Sequence, residues 1–336
     1  MLKHRKLLWQ LPLLVLLVVG TVVILRQHNG SDKPYRYFEG FVFGTVFHVS
    51  YQSDQVLDSV ITVGLNRVDA TLSMFNPQST LSRVNENKPV EHDAMFAEVV
   101  ALALQVAADT DGAFDPTVAP LVNLWGFGYK RGQTPTPEAI DSIRRYVGYE
   151  KVGLTADGRL RKTDAQVSMD LSAIAKGYGC DVVAGILRQH GVKNFMVEIG
   201  GEIVASGQSA RRQPWRIGVT KPNDDPDSDE GEVQHILNMT DCAVATSGNY
   251  RNFYIRDGKK YAHTIDPATG RPVQHSLLSA TVIADRCAKA DAYSTAFMVM
   301  GIDKAKQVLS RHPELRAYFI LSTPQGELTT WQSDGL

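Results

Sequence analysis

Two short segments far apart in the chain carry the residue types best suited to chemistry. The first, residues 170–179, reads Asp-Leu-Ser-Ala-Ile-Ala-Lys-Gly-Tyr-Gly and leads from a strand-like stretch into a predicted helix. The second, residues 290–296, places the Asp291 carboxylate four residues before the Thr295 hydroxyl. On a helix, this spacing puts both oxygens on one face, about one turn apart. Such oxygens suit a hard cation such as Mg²⁺, although the same spacing is also found on solvated helix faces.

Three more side chains are candidates for a chemical role. Lys176 offers a compact cation for phosphate, or it is an ordinary solvated lysine. Asp170 precedes the helix and can cap it. His263 precedes the sequence Thr-Ile-Asp-Pro. An unperturbed imidazole titrates near pH ~6.5, which suits a general base, although a single histidine is more often structural.

The elements that must position these residues mix helices and strands without a regular βαβ repeat. Apolar spacing and capping residues predict helices over 56–72, 93–112, 135–147, 173–190 and 303–311. Alternating or β-branched runs predict strands over 41–51, with an interruption at Gly44, and over 194–199, 215–220, 252–256, 278–284 and 317–322. This order predicts an α+β architecture and not a doubly wound parallel sheet.

Composition narrows the classes of function. The net charge is −1 and no basic stripe alternates with aromatic residues, so we expect no nucleic-acid partner. The three cysteines are widely spaced without a CxxC motif, which disfavours zinc and redox sites. The acidic stretch 223–232 predicts a mobile surface loop; a calcium loop is the alternative, but the EF-hand spacing is absent.

The N-terminus predicts a membrane anchor. A basic cluster at residues 3–6 precedes an apolar stretch at 7–25, which falls in the length class of a spanning helix, about 17–25 residues. No small-residue cleavage site and no lipidation cysteine follow it; a cleaved signal peptide is the alternative. We therefore expect an anchor over 1–30 and a catalytic domain over 35–336 on the far side of the membrane.

Further motifs follow one another from Phe43 to the C-terminus. They are Gly-Thr at 44–45, Ser-Met-Phe-Asn-Pro at 73–77, Leu-Ser-Arg-Val-Asn at 81–85, Gly-Ala-Phe-Asp-Pro-Thr-Val at 112–118, Leu-Trp-Gly-Phe at 124–127, Glu-Ile-Gly-Gly-Glu at 198–202, Thr-Ser-Gly-Asn-Tyr at 246–250 and His-Thr-Ile-Asp-Pro-Ala-Thr-Gly-Arg-Pro at 263–272. With the two segments above, this series resembles the ApbE family of FAD:protein FMN transferases. The resemblance implies an ApbE-like, T-fold-related α+β domain.

The family resemblance also implies an activity. Members transfer the FMN half of FAD, the donor substrate, to a Thr or Ser hydroxyl of a target protein and release AMP, with Mg²⁺ as cofactor. It implies acceptor flavoprotein subunits of sodium-pumping quinone reductase (Nqr) or of the related Rnf complex, and a bacterial inner-membrane enzyme facing the periplasm. The alternatives are a Mg²⁺-dependent FAD pyrophosphatase that yields FMN and AMP, and a non-catalytic flavin-binding assembly protein.

The resemblance assigns a role to individual residues. The metal ligands are the Asp291 and Thr295 side chains and the Ala173 backbone carbonyl. His263 and Asp291 are the candidate catalytic residues, with His263 as the base in a motif expected beside FAD. The predicted FAD contacts are Phe43, Phe75, Ala113, Phe114, Asp115, Asp170, Lys176, His263 and Ile265.

Some of these assignments have structural alternatives. Phe43 stands where the family pattern has methionine, and both Phe43 and Phe114 are also plausible core residues. Ala173 is equally suited to close packing. We expect Asp291 to lie at a site and not in the core.

Overall fold

A computed structural model describes the chain at residues 19, 21, 33–91, 93–127, 135–222, 232–249, 253–256 and 259–336. The chain divides into two units, residues 1–35 and 36–336. Within the described residues, no helix is both long and apolar enough to cross a membrane. Apart from Val19 and Thr21, the predicted anchor lies outside the described residues, as does most of the acidic stretch.

The described strands, in chain order, are β1 (Tyr35–Val42), β2 (Thr45–Gln52), β3 (Val152–Leu154), β4 (Leu160–Lys162), β5 (Phe195–Ile199), β6 (Glu202–Ser206), β7 (Trp215–Thr220), β8 (Val233–Met239), β9 (Cys242–Gly248), β10 (Phe253–Arg256), β11 (Lys259–Ala262), β12 (Ile265–Asp266), β13 (Arg271–Pro272), β14 (Leu277–Ala284), β15 (Arg316–Ser322) and β16 (Leu328–Gln332). Eight form the main sheet, in the order β1-β2-β5-β6-β9-β14-β15-β16. From β2 to β16, each neighbouring pair is antiparallel.

The described helices are α1 (Asp58–Leu72), α2 (Thr80–Asn85), α3 (Ala94–Asp109), α4 (Ala119–Leu124), α5 (Pro137–Arg144), α6 (Ser172–Gln189) and α7 (Cys287–Arg311). The predicted helices at 56–72, 93–112, 135–147 and 173–190 are confirmed with shifted ends. Asp93 caps α3 as expected, because its carboxylate accepts from the Met95 and Phe96 N–H groups.

The strand predicted over 41–51 is wrong as a single strand, and its glycine interruption is a full turn. The chain turns at Phe43 and Gly44, which both have positive φ (52° and 75°), so the run forms the hairpin β1–β2. Glycine adopts this backbone readily but phenylalanine rarely does, and a continuous aromatic and β-branched run hides the turn.

The main sheet has helices on one face and a hairpin on the other. One core lies where α3, α6 and α7 cover residues of β9, β14 and β15, among them Ala245, Val282 and Phe319. On the opposite face, the β7–β8 hairpin packs Ile217 and Leu237 against neighbouring strands. Helices gathered on one face of an antiparallel sheet confirm the α+β prediction.

Helix α7 contains Asp291 in its first part and, in its last part, residues 303–311, which the sequence predicts as a separate helix. It is broken at Gly301, whose φ of 74° and ψ of 173° are not helical. Near the break, the Met298 carbonyl accepts a hydrogen bond from His275 Nε2 at 2.9 Å. The segment with Asp291 and Thr295 is therefore a continuous helix that ends one turn after the predicted site.

Candidate active site between α6 and α7

Helices α6 and α7 approach closely at Gly177. A Cβ atom at this position would lie 2.4 Å from the Cys287 carbonyl oxygen and 2.8 Å from the Ala288 nitrogen. Further along α6, Asp181 accepts hydrogen bonds from the Cys287 and Ala288 N–H groups at 2.8 and 3.1 Å. A glycine and an aspartate of α6 thus fix the first turn of α7, which carries no cap of its own.

The predicted metal ligands Ala173 and Asp291 converge at Gly177. The Gly177 N–H donates to Asp291 Oδ2 at 3.0 Å. In an α-helix, the carbonyl facing the N–H of residue 177 is that of residue 173. The Ala173 carbonyl and the Asp291 carboxylate therefore approach the same backbone donor. The resemblance implies one metal site for both residues, and the contact of α6 with α7 brings them to this common donor.

Asp291 is 3% exposed, with buried alanines beside it in the chain at positions 290 and 292. The expectation that it lies outside the core is wrong, since the small residues between α6 and α7 let the helices close over it. Burial raises the pKa of the Asp291 carboxyl, while Lys176 and the Gly177 N–H lower it.

A third charged group, Glu202 at the start of β6, completes this region. Lys176 Nζ lies 2.6 Å from Glu202 Oε1, and the Glu202 side chain is 3% exposed. The other oxygen, Oε2, is buried and has no hydrogen-bond partner within the described structure. We call Lys176, Glu202 and Asp291 the inner cluster. It holds two carboxylates and one ammonium.

The pKa values within the inner cluster reflect this imbalance. Burial, and then the negative charge of Asp291, raise the pKa of Glu202, while the nearby Lys176 ammonium lowers it. Burial disfavours the charged form of Lys176, but the Glu202 and Asp291 carboxylates outweigh it and raise the lysine pKa. A cluster with more buried carboxylates than cations is stabilised by additional positive charge.

The Thr295 hydroxyl belongs to a chain of hydroxyl groups. Ser247 Oγ, on β9, lies 3.2 Å from Thr295 Oγ1 and 2.9 Å from Ser294 Oγ. Ser294 Oγ donates to the Asp291 carbonyl at 2.9 Å. Ser247 lies within the polar motif at 246–250, which the sequence suggests as a lining of the site, but only the packing of α7 on β9 reveals its partners.

Asp170 connects α6 with the predicted FAD segment 113–115. Its N–H donates to the Pro116 carbonyl at 2.7 Å, and its Oδ1 accepts from the Ser172 N–H at 2.7 Å. Asp115 is 7% exposed and accepts from the Thr117 N–H at 2.7 Å and the Tyr149 N–H at 3.0 Å. Burial raises the pKa of Asp115, and these hydrogen bonds oppose the shift.

The aromatic residues predicted to contact FAD are placed differently from one another. Phe43 is half-buried in the β1–β2 turn, and its ring covers Gly179 of α6. Phe75 is 68% exposed in the loop after α1, whereas the Phe114 side chain, 2% exposed, lies in the main core. Ala113 is half-buried beside it. Phe75 therefore offers an open aromatic surface, and Phe43 closes the end of the site beside α6.

His263 and Ile265 lie on the segment that joins β11 to β13. His263 is half-buried, and its ring meets that of Phe127 edge to face with the centroids 6.4 Å apart. Ile265 is 4% exposed in a satellite core with Trp125, whose Nε1–H donates to the Gly270 carbonyl at 2.7 Å. Strand β12, which contains Ile265, lies against α7.

The donor set suits a hard cation. In the described part of the chain, no group of three or more His, Cys, Asp or Glu side chains has a metal-binding arrangement. The predicted set instead combines one carboxylate, one hydroxyl and one backbone carbonyl, all of them oxygen ligands of the kind that Mg²⁺ accepts. The excess negative charge of the inner cluster and the unpartnered Glu202 oxygen fit a cation at this position.

The chain is similar to known proteins in both sequence and structure. The ApbE family profile matches residues 43–319. The FAD:protein FMN transferase of Haemophilus influenzae is 40% identical over 306 residues, covering 86% of this chain and 87% of that protein. The structure of the flavin transferase ApbE from Vibrio cholerae superposes with a TM-score of 0.79 at 35% identity, over 90% of this chain and 98% of that one. The apo flavinyl transferase ApbE of Pseudomonas stutzeri gives the same TM-score of 0.79 at 35% identity, over 90% and 96%.

Proposed function

The chain belongs to the ApbE family and is an FAD:protein FMN transferase, and we propose that it uses Mg²⁺ and releases AMP. In this reaction, a Thr or Ser hydroxyl of the target protein attacks the FMN phosphorus of FAD. The new bond joins the hydroxyl oxygen to that phosphorus, and the bond to the AMP phosphate breaks. The hydroxyl proton must pass to a base, and AMP leaves with the bridging oxygen.

One observation carries the proposal: the Gly177 N–H lies between the carbonyl of Ala173 and the Asp291 carboxylate, next to Lys176. Together with the Thr295 hydroxyl, these oxygens would hold Mg²⁺. A cation bound there would neutralise the charge that grows on the pyrophosphate during transfer. Lys176 supplies a fixed positive charge beside it.

The remaining predicted residues would bind and orient the substrates. Phe75 presents its exposed ring to a flavin or adenine face, and Asp170 holds the 113–115 segment against the start of α6. His263, on a loop beside the strand that contacts α7, would take the proton from the acceptor hydroxyl. Orientation of this kind lowers the entropic part of the barrier.

A single incubation tests the function. The full-length protein is mixed with FAD, Mg²⁺ and a candidate acceptor subunit, and a denaturing gel is examined for a fluorescent flavin band. We expect a band that disappears with a chelator and returns with added Mg²⁺. Formation of FMN and AMP without labelling of the acceptor would identify a pyrophosphatase instead. FAD binding without any product would identify a non-catalytic flavin-binding protein.

We further propose that the protein is anchored in the bacterial inner membrane by residues 7–25, with its catalytic domain in the periplasm. Its acceptors would be extracytoplasmic flavoprotein subunits of the Nqr or Rnf type. The length of the apolar stretch and the basic cluster before it support this. Membrane fractionation and N-terminal sequencing test it, and a mature N-terminus beyond Arg26 would contradict the anchor.

A further inference from the structure

Lys176 has two carboxylates available to it. Its Nζ is paired with Glu202 at 2.6 Å, and the charge of Asp291 also acts on it. An ammonium that paired with Asp291 instead would occupy the carboxylate that the proposed cation needs. The choice between these two partners therefore decides whether Asp291 remains available as a ligand.

The position of Glu202 is fixed from two sides. It follows the Gly200–Gly201 turn, in which both glycines have positive φ, 60° and 104°. The Cys180 thiol of α6 donates to the Glu202 backbone carbonyl at 3.2 Å. Glu202 is therefore held at the first position of β6, beside α6, where its side chain reaches Lys176.

We propose that Glu202 is a positioning residue that holds the Lys176 ammonium and thereby keeps the Asp291 carboxylate free for a divalent cation. This inference rests on the proposed function, which makes Asp291 a cation ligand. Glu202 itself acts through Lys176 and need not touch FAD.

The physical reason is the cost of an unpaired charge in a partly buried position, since the Lys176 side chain is 31% exposed. A neutral side chain at position 202 leaves the Lys176 ammonium without its closest counter-charge. A partly buried charge that loses its partner is destabilised, and another carboxylate within reach becomes the favoured partner. Asp291 then becomes that partner, and the lysine competes with the cation for it.

A double-mutant cycle tests this inference on the full-length protein in detergent, without FAD. Electron paramagnetic resonance measures the affinity for Mn²⁺, a spectroscopic substitute for Mg²⁺, in the wild type, Glu202→Gln, Lys176→Met and the double variant. Glu314→Gln is the matched control, because Glu314 forms a comparable ion pair with Lys289 at 2.9 Å on the surface. Thermal unfolding of each variant checks that it is folded.

We expect Glu202→Gln to weaken Mn²⁺ binding at least about fivefold when Lys176 is present, and less than about twofold when residue 176 is methionine. If the negative charge of Glu202 acted on the cation directly, the loss of Mn²⁺ affinity would be equal whether residue 176 is lysine or methionine. Equal losses would therefore overturn the positioning role. Glu314→Gln is expected to bind Mn²⁺ as the wild type does.

Glu202→Asp keeps the charge on a shorter side chain and provides a second test if the glutamine variant does not fold. We expect its Mn²⁺ affinity to stay within about threefold of the wild type, and a loss of fivefold or more would count against the role. Binding of Mn²⁺ by the wild type with an unchanged Glu202→Gln variant rejects the positioning role alone. No Mn²⁺ binding by the wild type would remove the cation from the proposed function and the inference with it.

Discussion

Two groups of charged side chains lie on different faces of α7 and are built in opposite ways. The inner cluster of Lys176, Glu202 and Asp291 lies where α7 meets α6; its two carboxylates are buried, its ammonium is partly exposed, and it holds more negative than positive charge. Residues two apart on a helix point in different directions. Tyr293 therefore lies on a different face of α7 from Asp291 and belongs to a second group. This outer network comprises Asp109, Lys289, Tyr293, His312 and Glu314.

The outer network pairs its groups with one another. The Tyr293 hydroxyl donates to Asp109 at 2.6 Å, and His312 Nε2 lies 2.8 Å from the same carboxylate. Glu314 lies 3.1 Å from His312 Nδ1 and 2.9 Å from Lys289 Nζ. The hydrogen bond from Lys289 is the main reason that the pKa of Glu314 falls to about 2.

This difference in pairing indicates which group supports the stability of the fold and which supports function. A network whose groups are all paired contributes to the fold and gains little from a ligand. A buried cluster with a surplus carboxylate and an unpartnered oxygen is stabilised only when something cationic joins it. We therefore expect substitutions in the inner cluster to change catalysis and those in the outer network to change stability.

The largest effect is expected for Asp291→Asn. The amide keeps the shape of the buried side chain but removes the charge of the proposed ligand, so several kcal/mol of transition-state stabilisation should be lost and transfer should slow about 10³-fold or more. Labelling of the acceptor across a Mg²⁺ titration measures this. Mg²⁺ should raise the melting temperature of the wild type but not of the variant. Near-normal labelling by the variant would show that Asp291 is a structural residue.

A hundredfold effect is expected for His263→Ala, which lies outside both groups. A general base typically contributes about 10²–10⁴-fold, so the variant should bind FAD normally and transfer FMN at least about a hundredfold more slowly. Flavin fluorescence gives the affinity and gel labelling gives the rate. A parallel loss of affinity and rate would assign His263 to FAD positioning, and retention of both would make it a structural histidine.

Tyr293→Phe should act on stability alone. The variant removes the hydrogen bond to the Asp109 carboxylate, and we expect a loss of about 1–2 kcal/mol in the free energy of unfolding. Denaturant unfolding measures this loss, with the transfer rate expected to stay within about twofold of the wild type. A large loss of transfer rate without a loss of stability would show that the outer network acts in catalysis, contrary to the contrast drawn between the two groups.

The smallest effect is the pH dependence of the outer network. Burial opposes a charged His312, but hydrogen bonds to Asp109 and Glu314 outweigh it and raise the His312 pKa above 6.5. This stabilisation is complete below pH 6.5 and is lost as the pH rises through the raised pKa. For Glu314, with its pKa lowered from 4.5 to about 2, stabilisation is present above pH 4.5 and is lost as the pH falls through about 2.

The network should therefore contribute most between pH 4.5 and 6.5. Melting temperatures of the wild type and of His312→Gln, measured from pH 5 to pH 9, should converge as the pH rises. The imidazole is paired with Asp109 and Glu314, and Arg311 lies 3.9 Å from the same Asp109 carboxylate. A difference that does not change with pH would show that His312 contributes by packing only.

Local patterns predicted α6, but not the part of α7 that carries Asp291 and Thr295, because the sequence indicated only residues 303–311 of that helix. Asp93 marks the start of α3, and Gly191, with φ of 72°, follows the end of α6. The spacing of Asp291 and Thr295 puts both on one face only once the helix is known, and the family motifs named Ala173 as a further ligand.

The partners that depend on long-range packing could not be predicted. Glu202 meets Lys176 only because β6 lies beside α6, and a Gly-Gly-Glu sequence says nothing about that neighbour. The burial of Asp291 follows from the fit of Gly177 against α7, which no local periodicity encodes. The β1–β2 turn was missed because Phe43 adopts a backbone that its residue type disfavours.

Asp181 also changes the electrostatic potential that would act on a cation bound at Asp291. The start of a helix carries about half a positive charge, from the aligned peptide dipoles, and this repels cations. Asp291 lies only about one turn from that end of α7. Because the Asp181 carboxylate accepts from the Cys287 and Ala288 N–H groups, it offsets the dipole where it is strongest. A helix end that would ordinarily attract phosphate is in this way made compatible with a divalent metal.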